Sequence, residues 1–191
     1  MSLSKPMNAH YTPTAKILHW LIALAIFGLL ALGFVMTGMP LSPEKLQLYS
    51  WHKWAGVSVF VLTWVRLAWR ITHPAPPYPE SMSAIATVMA HAGHSLLYVL
   101  MIVVPLTGWL MSSAKGIQTV WFGVLPIPDL IGKDKALADA FGTAHLVLNW
   151  TLLVLVAGHA LAALKHHFMD GDDILSRMSP RQFSKNTKES A

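Results

Sequence analysis

His145 and His159 stand 14 residues apart inside one apolar run, Gly142 to Phe168. At ~3.6 residues per turn this spacing is close to four turns, so both rings leave the same face of a helix. At ~1.5 Å rise per residue they sit ~21 Å apart along its axis. The hydrocarbon core of a bilayer is ~30 Å thick, so the two imidazoles would lie near opposite depths of a membrane. Neutral imidazole is a good axial ligand for haem iron, and two stacked haems need one ligand from such a helix at each depth. The plainer alternative is two buried polar residues, each satisfied by a neighbour. Partners on other helices decide between the two.

The composition says which solvent those helices meet. Of 191 residues, 54% are hydrophobic and 12% charged, against about 25% charged in ordinary soluble domains. The nine acidic residues fall in the expected loops and tails, outside the apolar runs. The chain contains no cysteine, which excludes thiol chemistry, Fe–S clusters, Cys-rich zinc sites and covalent haem attachment through C-x-x-C-H. The net charge of +5 is read as membrane topology. No soluble domain carries a basic patch interleaved with aromatics, so no nucleic-acid partner is expected.

The expected fold is all-α: an integral membrane four-helix bundle over residues 1–180, with two b-type haems between the helices. Spans are placed at about 17–37, 51–71, 90–111 and 143–167, and residues 181–191 form a tail expected to be disordered. The first span follows Lys16 but is long for a cleavable signal, and no A-x-A-type site follows it, so it is read as retained. Gly38, Pro40 and Pro43 mark the first turn. His73-Pro74-Ala75-Pro76-Pro77 forms a stiff extended connection, because each proline disfavours helix in the residue before it. Pro105 and Gly108 suggest a kink in the third span. Residues 112–141, with Trp121-Phe122-Gly123 and Pro126-Ile127-Pro128, read as a segment lying in the membrane interface.

Four spans put both termini on one side, which carries nine Lys and Arg against five on the other. The positive-inside rule places that side in the cytoplasm. Depths follow. His19 opens span one at the cytoplasmic side, His52 opens span two at the far side, His145 opens span four at the far side, and His159 lies deeper toward the cytoplasm. Two pairs at matched depth result, His52 with His145 and His19 with His159, each able to supply both axial ligands of one haem. Intramembrane ionisable residues are costly and usually functional. The spans hold no carboxylate of the kind a proton or divalent-cation path needs. Arg66, 14 residues after His52 and at the depth of His19, could pair with a haem propionate or a quinone carbonyl, or snorkel to headgroups. His94 could replace His19 as a ligand, line a quinone pocket or bond a propionate. His166 and His167 lie just past the membrane boundary, as a solvated pair or a quinone contact. His10, His73 and His91 are read as exposed or interfacial.

This arrangement resembles the bacterial cytochrome b561 family, small four-helix dihaem cytochromes of the inner membrane related to the cytochrome b subunits of nickel–iron hydrogenases. The resemblance covers about residues 10–180. It rests on Lys16-Ile17-Leu18-His19-Trp20, on His52 ahead of Val65-Arg66-Leu67, and on Pro74-Ala75-Pro76-Pro77. Further matches are Gly93-His94-Ser95-Leu96-Leu97-Tyr98, the His145/His159 pair, Ala163-Leu164-Lys165-His166-His167-Phe168, and Asp173-Ile174-Leu175-Ser176-Arg177-Met178. The resemblance implies the same four ligands as depth matching, and electron exchange between the periplasmic side and a quinone such as ubiquinone. In one branch of the family it implies oxidation of superoxide at the periplasmic face. The far-side loops hold five basic against four acidic residues, a weak funnel for an anion, with Lys53 the candidate steering cation. Two rival functions remain: a cytochrome b subunit serving a separate dehydrogenase or hydrogenase, and a haem-free transporter or scaffold.

Overall fold

The computed structural model describes residues 10–79 and 81–179. Four long helices dominate it: α1 Pro13–Gly38, α2 Pro43–Thr72, α3 Ala84–Ala114 and α4 Lys135–Lys165. All four start by the same device. A short polar side chain at the N-cap accepts a backbone N–H three residues on: Thr12 from Ala15, Ser42 from Lys45, Ser83 from Ala86 and Asp134 from Leu137. Each bond satisfies one of the donors a helix leaves orphaned at its start. Pro13 and Pro43 add the fixed φ that suits a first turn.

All four helices are long and apolar enough to cross a membrane, and their packing fits that solvent. The buried core is small, running through Ile22, Ile26 and Leu30 of α1, Val59 of α2, Leu100 and Val104 of α3 and Leu152 of α4. Large apolar side chains such as Leu24, Phe27, Trp64, Val154 and Leu161 point outward. In water such a surface would drive aggregation; in lipid it costs nothing. Close backbone packing joins α3 to α4, α1 to α2 and α2 to α3. Across the bundle α4 meets α1 and α2 through rings, including Phe34 against Trp150 at 5.3 Å between centroids.

Between α3 and α4 the chain forms a two-stranded antiparallel hairpin, β1 Val120–Trp121 and β2 Leu125–Pro126. Its turn places Phe122 and Gly123 at φ 51° and 72°, and the Val124 N–H bonds the Trp121 carbonyl at 3.1 Å. Positive φ at both central residues is what a type I′ hairpin turn requires. The hairpin is tied to α2. Trp54 Nε1 donates to the Val120 carbonyl at 2.6 Å, and Trp121 Nε1 donates to the Trp54 carbonyl at 3.1 Å. Beyond α4 a π-helical turn, His166–Asp170, ends at Gly171 with φ 69°. A short helix follows, α5 Ile174–Met178. This end folds back on the bundle. Trp20 Nε1 donates to the Met178 carbonyl at 3.0 Å, and Arg177 Nη1 to the Pro77 carbonyl at 2.6 Å.

Candidate functional site

The helices bring the four histidines together in two pairs at opposite ends of α4. His52 of α2 faces His145 with ring centroids 6.3 Å apart, and His19 of α1 faces His159 at 6.1 Å. An imidazole nitrogen lies roughly 2.0–2.1 Å from a bound metal, so two rings opposed across one metal have centroids roughly 6 Å apart. The ring planes meet at 80° and 69°. Each pair would hold one haem iron between its two imidazoles. The spacing is too long for a hydrogen bond between the rings and right for a metal between them.

The far-side pair has a directed environment. Val104, Thr107 and Gly108 lie at i, i+3 and i+4 on α3, so they share one face. His145 Nδ1 lies 3.0 Å from the Val104 carbonyl, which can only accept, so Nδ1 carries the proton. The Thr107 hydroxyl donates to that same carbonyl at 2.7 Å and turns its lone pairs to Nδ1 at 3.1 Å. This leaves Nε2 of His145 bare, the form that binds a metal. Gly108 makes room: a Cβ there would sit 3.1 Å from Cε1 of His145. On the facing side His52 Nδ1 is buried with no hydrogen-bond partner among the described residues. Burying such a group costs free energy, so this ring is held in place by packing alone. The cleft between the two rings is lined by Ile26, Leu29, Leu30, Val59, Met101 and Leu152, among others, an apolar wall suited to a porphyrin face. These residues fit a haem.

The pair at the other end is built differently. His94 of α3 stands 5.2 Å from the His159 ring, closer than His19, so three imidazoles cluster there. His94 Nδ1 also meets the Tyr78 hydroxyl at 3.4 Å. Arg66 is turned inward, Nε donating to the Tyr98 hydroxyl at 3.0 Å and Nη1 to the Ala15 carbonyl at 2.9 Å. Ala15 lies one helical turn before His19, so Arg66 braces the turn that carries that ring, while Nη2 makes no hydrogen bond among the described residues. The bond to Ala15 ties α2 to α1 and the bond to Tyr98 ties it to α3. This is more than a snorkelling arginine does.

The remaining histidines are peripheral. His166 Nδ1 bonds Asp172 Oδ2 at 2.6 Å, beside the Lys165–Asp170 ion pair. His167 lies against Phe168, and His73 stacks on Trp69 at 4.0 Å. His91 packs edge-on against Tyr78 at 5.1 Å, and His10 precedes α1. The supporting residues Val104, Thr107 and Gly108 escaped sequence reasoning. Gly108 was visible only as part of a kink, and nothing in a lone threonine or valine marks it as a neighbour of a residue 38 or 41 positions away.

Comparison with known proteins bears on the same helices. The family model described as prokaryotic cytochrome b561 matches residues 10–181. A protein named cytochrome b561 homolog 2, from Escherichia coli (strain K12), is 35% identical over 84% of this chain and 86% of its own. A probable superoxide oxidase CybB from Yersinia pestis is 28% identical over 92% and 99%. Cytochrome b561 homolog 1, also from Escherichia coli (strain K12), is 29% identical over 90% and 98%.

Proposed function

This chain belongs to the prokaryotic cytochrome b561 family of bacterial membrane cytochromes b, and on that premise we propose that it relays single electrons between a donor on the periplasmic side and the quinone pool. In this reading two b-type haems are held, one by His52 and His145 and one by His19 and His159, with both termini in the cytoplasm. The observation that carries the reading is the pair of ring separations, 6.3 and 6.1 Å, at the two ends of one helix. Haem supplies reversible one-electron chemistry at its iron when bound. The chain supplies the rest. Val104 and Thr107 fix the tautomer of His145, and the apolar cleft excludes water. Arg66 holds the turn of His19 and keeps Nη2 for a propionate or a quinone oxygen, and the hairpin lies over the donor-side end of α2.

The name of the Yersinia relative, probable superoxide oxidase, favours superoxide as the first donor to try, with a ubiquinone-type acceptor. A dithionite-reduced minus oxidised spectrum with pyridine-haemochrome quantification tests the core of the reading. Two b-type haems per chain are expected, and superoxide should then reduce them in the absence of quinone. One haem would break the pairing at the His19/His94/His159 cluster. A colourless, folded, haem-supplied preparation would leave a transporter or scaffold. Two haems that accept electrons only from a co-purifying soluble protein would make the chain a subunit of a larger dehydrogenase.

A further inference from the structure

A second cavity lies at the end of the bundle that carries the termini, next to the His19/His94/His159 cluster, which it meets through Tyr78. Four separate segments wall it: Tyr11 ahead of α1, Arg70 in the last turns of α2, the connection Pro74–Tyr78, and His91 of α3. Its volume is about 350 Å³, within the ~300–1,000 Å³ of small-molecule sites. The walls are stiff. Pro74, Pro76 and Pro77 fix their own φ angles, and Arg177 Nη1 holds the Pro77 carbonyl at 2.6 Å. Trp69 Nε1 holds the Thr12 hydroxyl at 2.9 Å, pinning the strand of chain that carries Tyr11. A cavity preformed in this way loses little ordering entropy when it is filled.

Its polar groups are of one kind. Arg70 brings a guanidinium, Tyr11 and Tyr78 bring phenols, and His91 an imidazole, while no carboxylate lines the cavity among the described residues. Of the neighbouring cations, Arg177 is paired with Asp173 at 2.8 Å, and Arg66 is turned to the Tyr98 hydroxyl and the Ala15 carbonyl. Arg70 has no carboxylate partner among the described residues; it lies 6.0 Å above the Tyr98 ring. Burial, and then the adjacent Tyr11 phenol, push Tyr78 above its ordinary pKa, with Arg70 acting in the opposite direction. The Tyr78 hydroxyl also meets His94 Nδ1 at 3.4 Å. The C-terminal end of α2 presents a partial negative charge, so an anion could settle here only because Arg70 offsets it.

We infer that this cavity binds a phosphate group, and that the phosphate is the headgroup of an anionic phospholipid of the adjoining leaflet. The lipid source follows from position. Arg70 and Trp69 mark the interfacial end of a spanning helix, where aromatic and basic anchors gather. Two turns further along α3 from His91, Val99 is half exposed, apolar surface against which an acyl chain could lie. Basic pockets between spanning helices on the cytoplasmic side are a recurrent solution for anionic headgroups. Neither haem nor electron transfer enters this inference, so it stands or falls independently of the function proposed above.

Native mass spectrometry of the full-length protein, delipidated in neutral detergent, tests it with phosphatidylglycerol, phosphatidylcholine and inorganic phosphate as probes. One tightly held phosphatidylglycerol is expected. Arg70→Gln should weaken it on the order of tenfold or more, as loss of a charged hydrogen-bond donor does, while Lys135→Gln at the opposite end changes nothing. If Arg70→Gln does not fold, the Tyr11→Phe/Tyr78→Phe double variant removes the phenolic donors at nearly constant shape and should show the same loss. Phosphatidylcholine bound equally well would overturn the anionic preference. Inorganic phosphate competing at comparable affinity would overturn the lipid assignment in favour of a soluble phosphate. Phosphatidylglycerol binding unaltered in every variant would show that the lipid sits elsewhere.

Discussion

Gly108→Ala separates the far-side histidine pair from the rest of the molecule. An alanine Cβ at this position would lie 3.1 Å from Cε1, 3.4 Å from Nδ1 and 3.7 Å from Nε2 of His145. The first contact is tighter than the ~3.5–4.0 Å optimum between carbons. The ring has little freedom to retreat, because Nδ1 is bonded to Val104 and Thr107 on the same face. Overpacking of this kind costs about 1–3 kcal/mol. Replacing a mid-helix glycine by alanine returns about 0.8–1.0 kcal/mol of helix propensity. The net loss is about 0–2 kcal/mol, a few degrees in melting temperature for a chain of this size. The larger effect is local: the ring must move by a few tenths of an ångström or break its bond to Val104. Haem content and the α-band of each haem should therefore be measured beside the melt, with Gly28→Ala as control, since nothing lies within 4 Å of a Cβ at Gly28. Gly108→Ala should perturb or lose one haem and leave the other unchanged, while Gly28→Ala should leave both. Two unperturbed haems in Gly108→Ala would mean that His145 is not held as described.

Other substitutions probe the remaining parts. Thr107→Val keeps the shape and the bond from His145 Nδ1 to the Val104 carbonyl, but loses the hydroxyl's own bond to that carbonyl and one acceptor for Nδ1, making the imidazole a weaker base. One haem potential should rise on the order of 20–60 mV, the equivalent of about 0.5–1.5 kcal/mol, as read by redox titration. His145→Ala should lose the far-side haem and His159→Ala the other, counted by pyridine haemochrome; a variant keeping both would break the pairing. Arg66→Lys cannot reproduce a fork that reaches Tyr98 and Ala15 together. It should cost about 1.5–3 kcal/mol in unfolding experiments and disturb only the His19 side. Gly123→Ala forces a left-handed turn on a residue with a Cβ, at about 1–2 kcal/mol. It should loosen the hairpin and speed reduction of the far-side haem by ascorbate in stopped flow.

The parts of this molecule that were legible beforehand are those that sequence distance along one helix determines. The 14-residue interval of His145 and His159 fixes their separation whatever surrounds them. Once four apolar runs set the direction of each helix, His52 and His19 could be assigned to matching ends. Helix starts were less visible. Lys135 and Pro43 open α4 and α2 well ahead of the apolar runs, because Asp134 and Ser42 cap polar turns that carry no hydropathy signal. The hairpin was hidden for a related reason. Two-residue strands are too short for alternation to register, and Phe122 is an unusual residue to hold positive φ. Arg66 could be placed at the right depth but not oriented, since its direction depends on a carbonyl of α1 and a phenol of α3 that only tertiary packing brings near.

The division of labour among the helices explains why the two ends differ although α4 contributes one histidine to each. α2 repeats the 14-residue interval of α4, but with His52 at one end and Arg66 at the other, so it supplies a ring to the far-side pair and a brace to its opposite. α1 supplies His19 where α2 supplies the brace. α3 gives the far-side pair no ring but shapes both ends: Val104, Thr107 and Gly108 at one, His94 and Tyr98 at the other. At the far end it offers a carbonyl and a hydroxyl that lock the tautomer of an imidazole whose partner, His52, has no hydrogen bond at its buried Nδ1 among the described residues. At the other end it offers a third imidazole and a phenol that orients a cation. The pair with the locked ring has one defined donor geometry, whereas the other has two histidines competing to face His159. Substitutions on α3 should therefore shift the properties of one haem at a time, and substitutions at the α4 histidines should remove one at a time. A bundle in which the histidines were mere buried polar residues would show neither pattern.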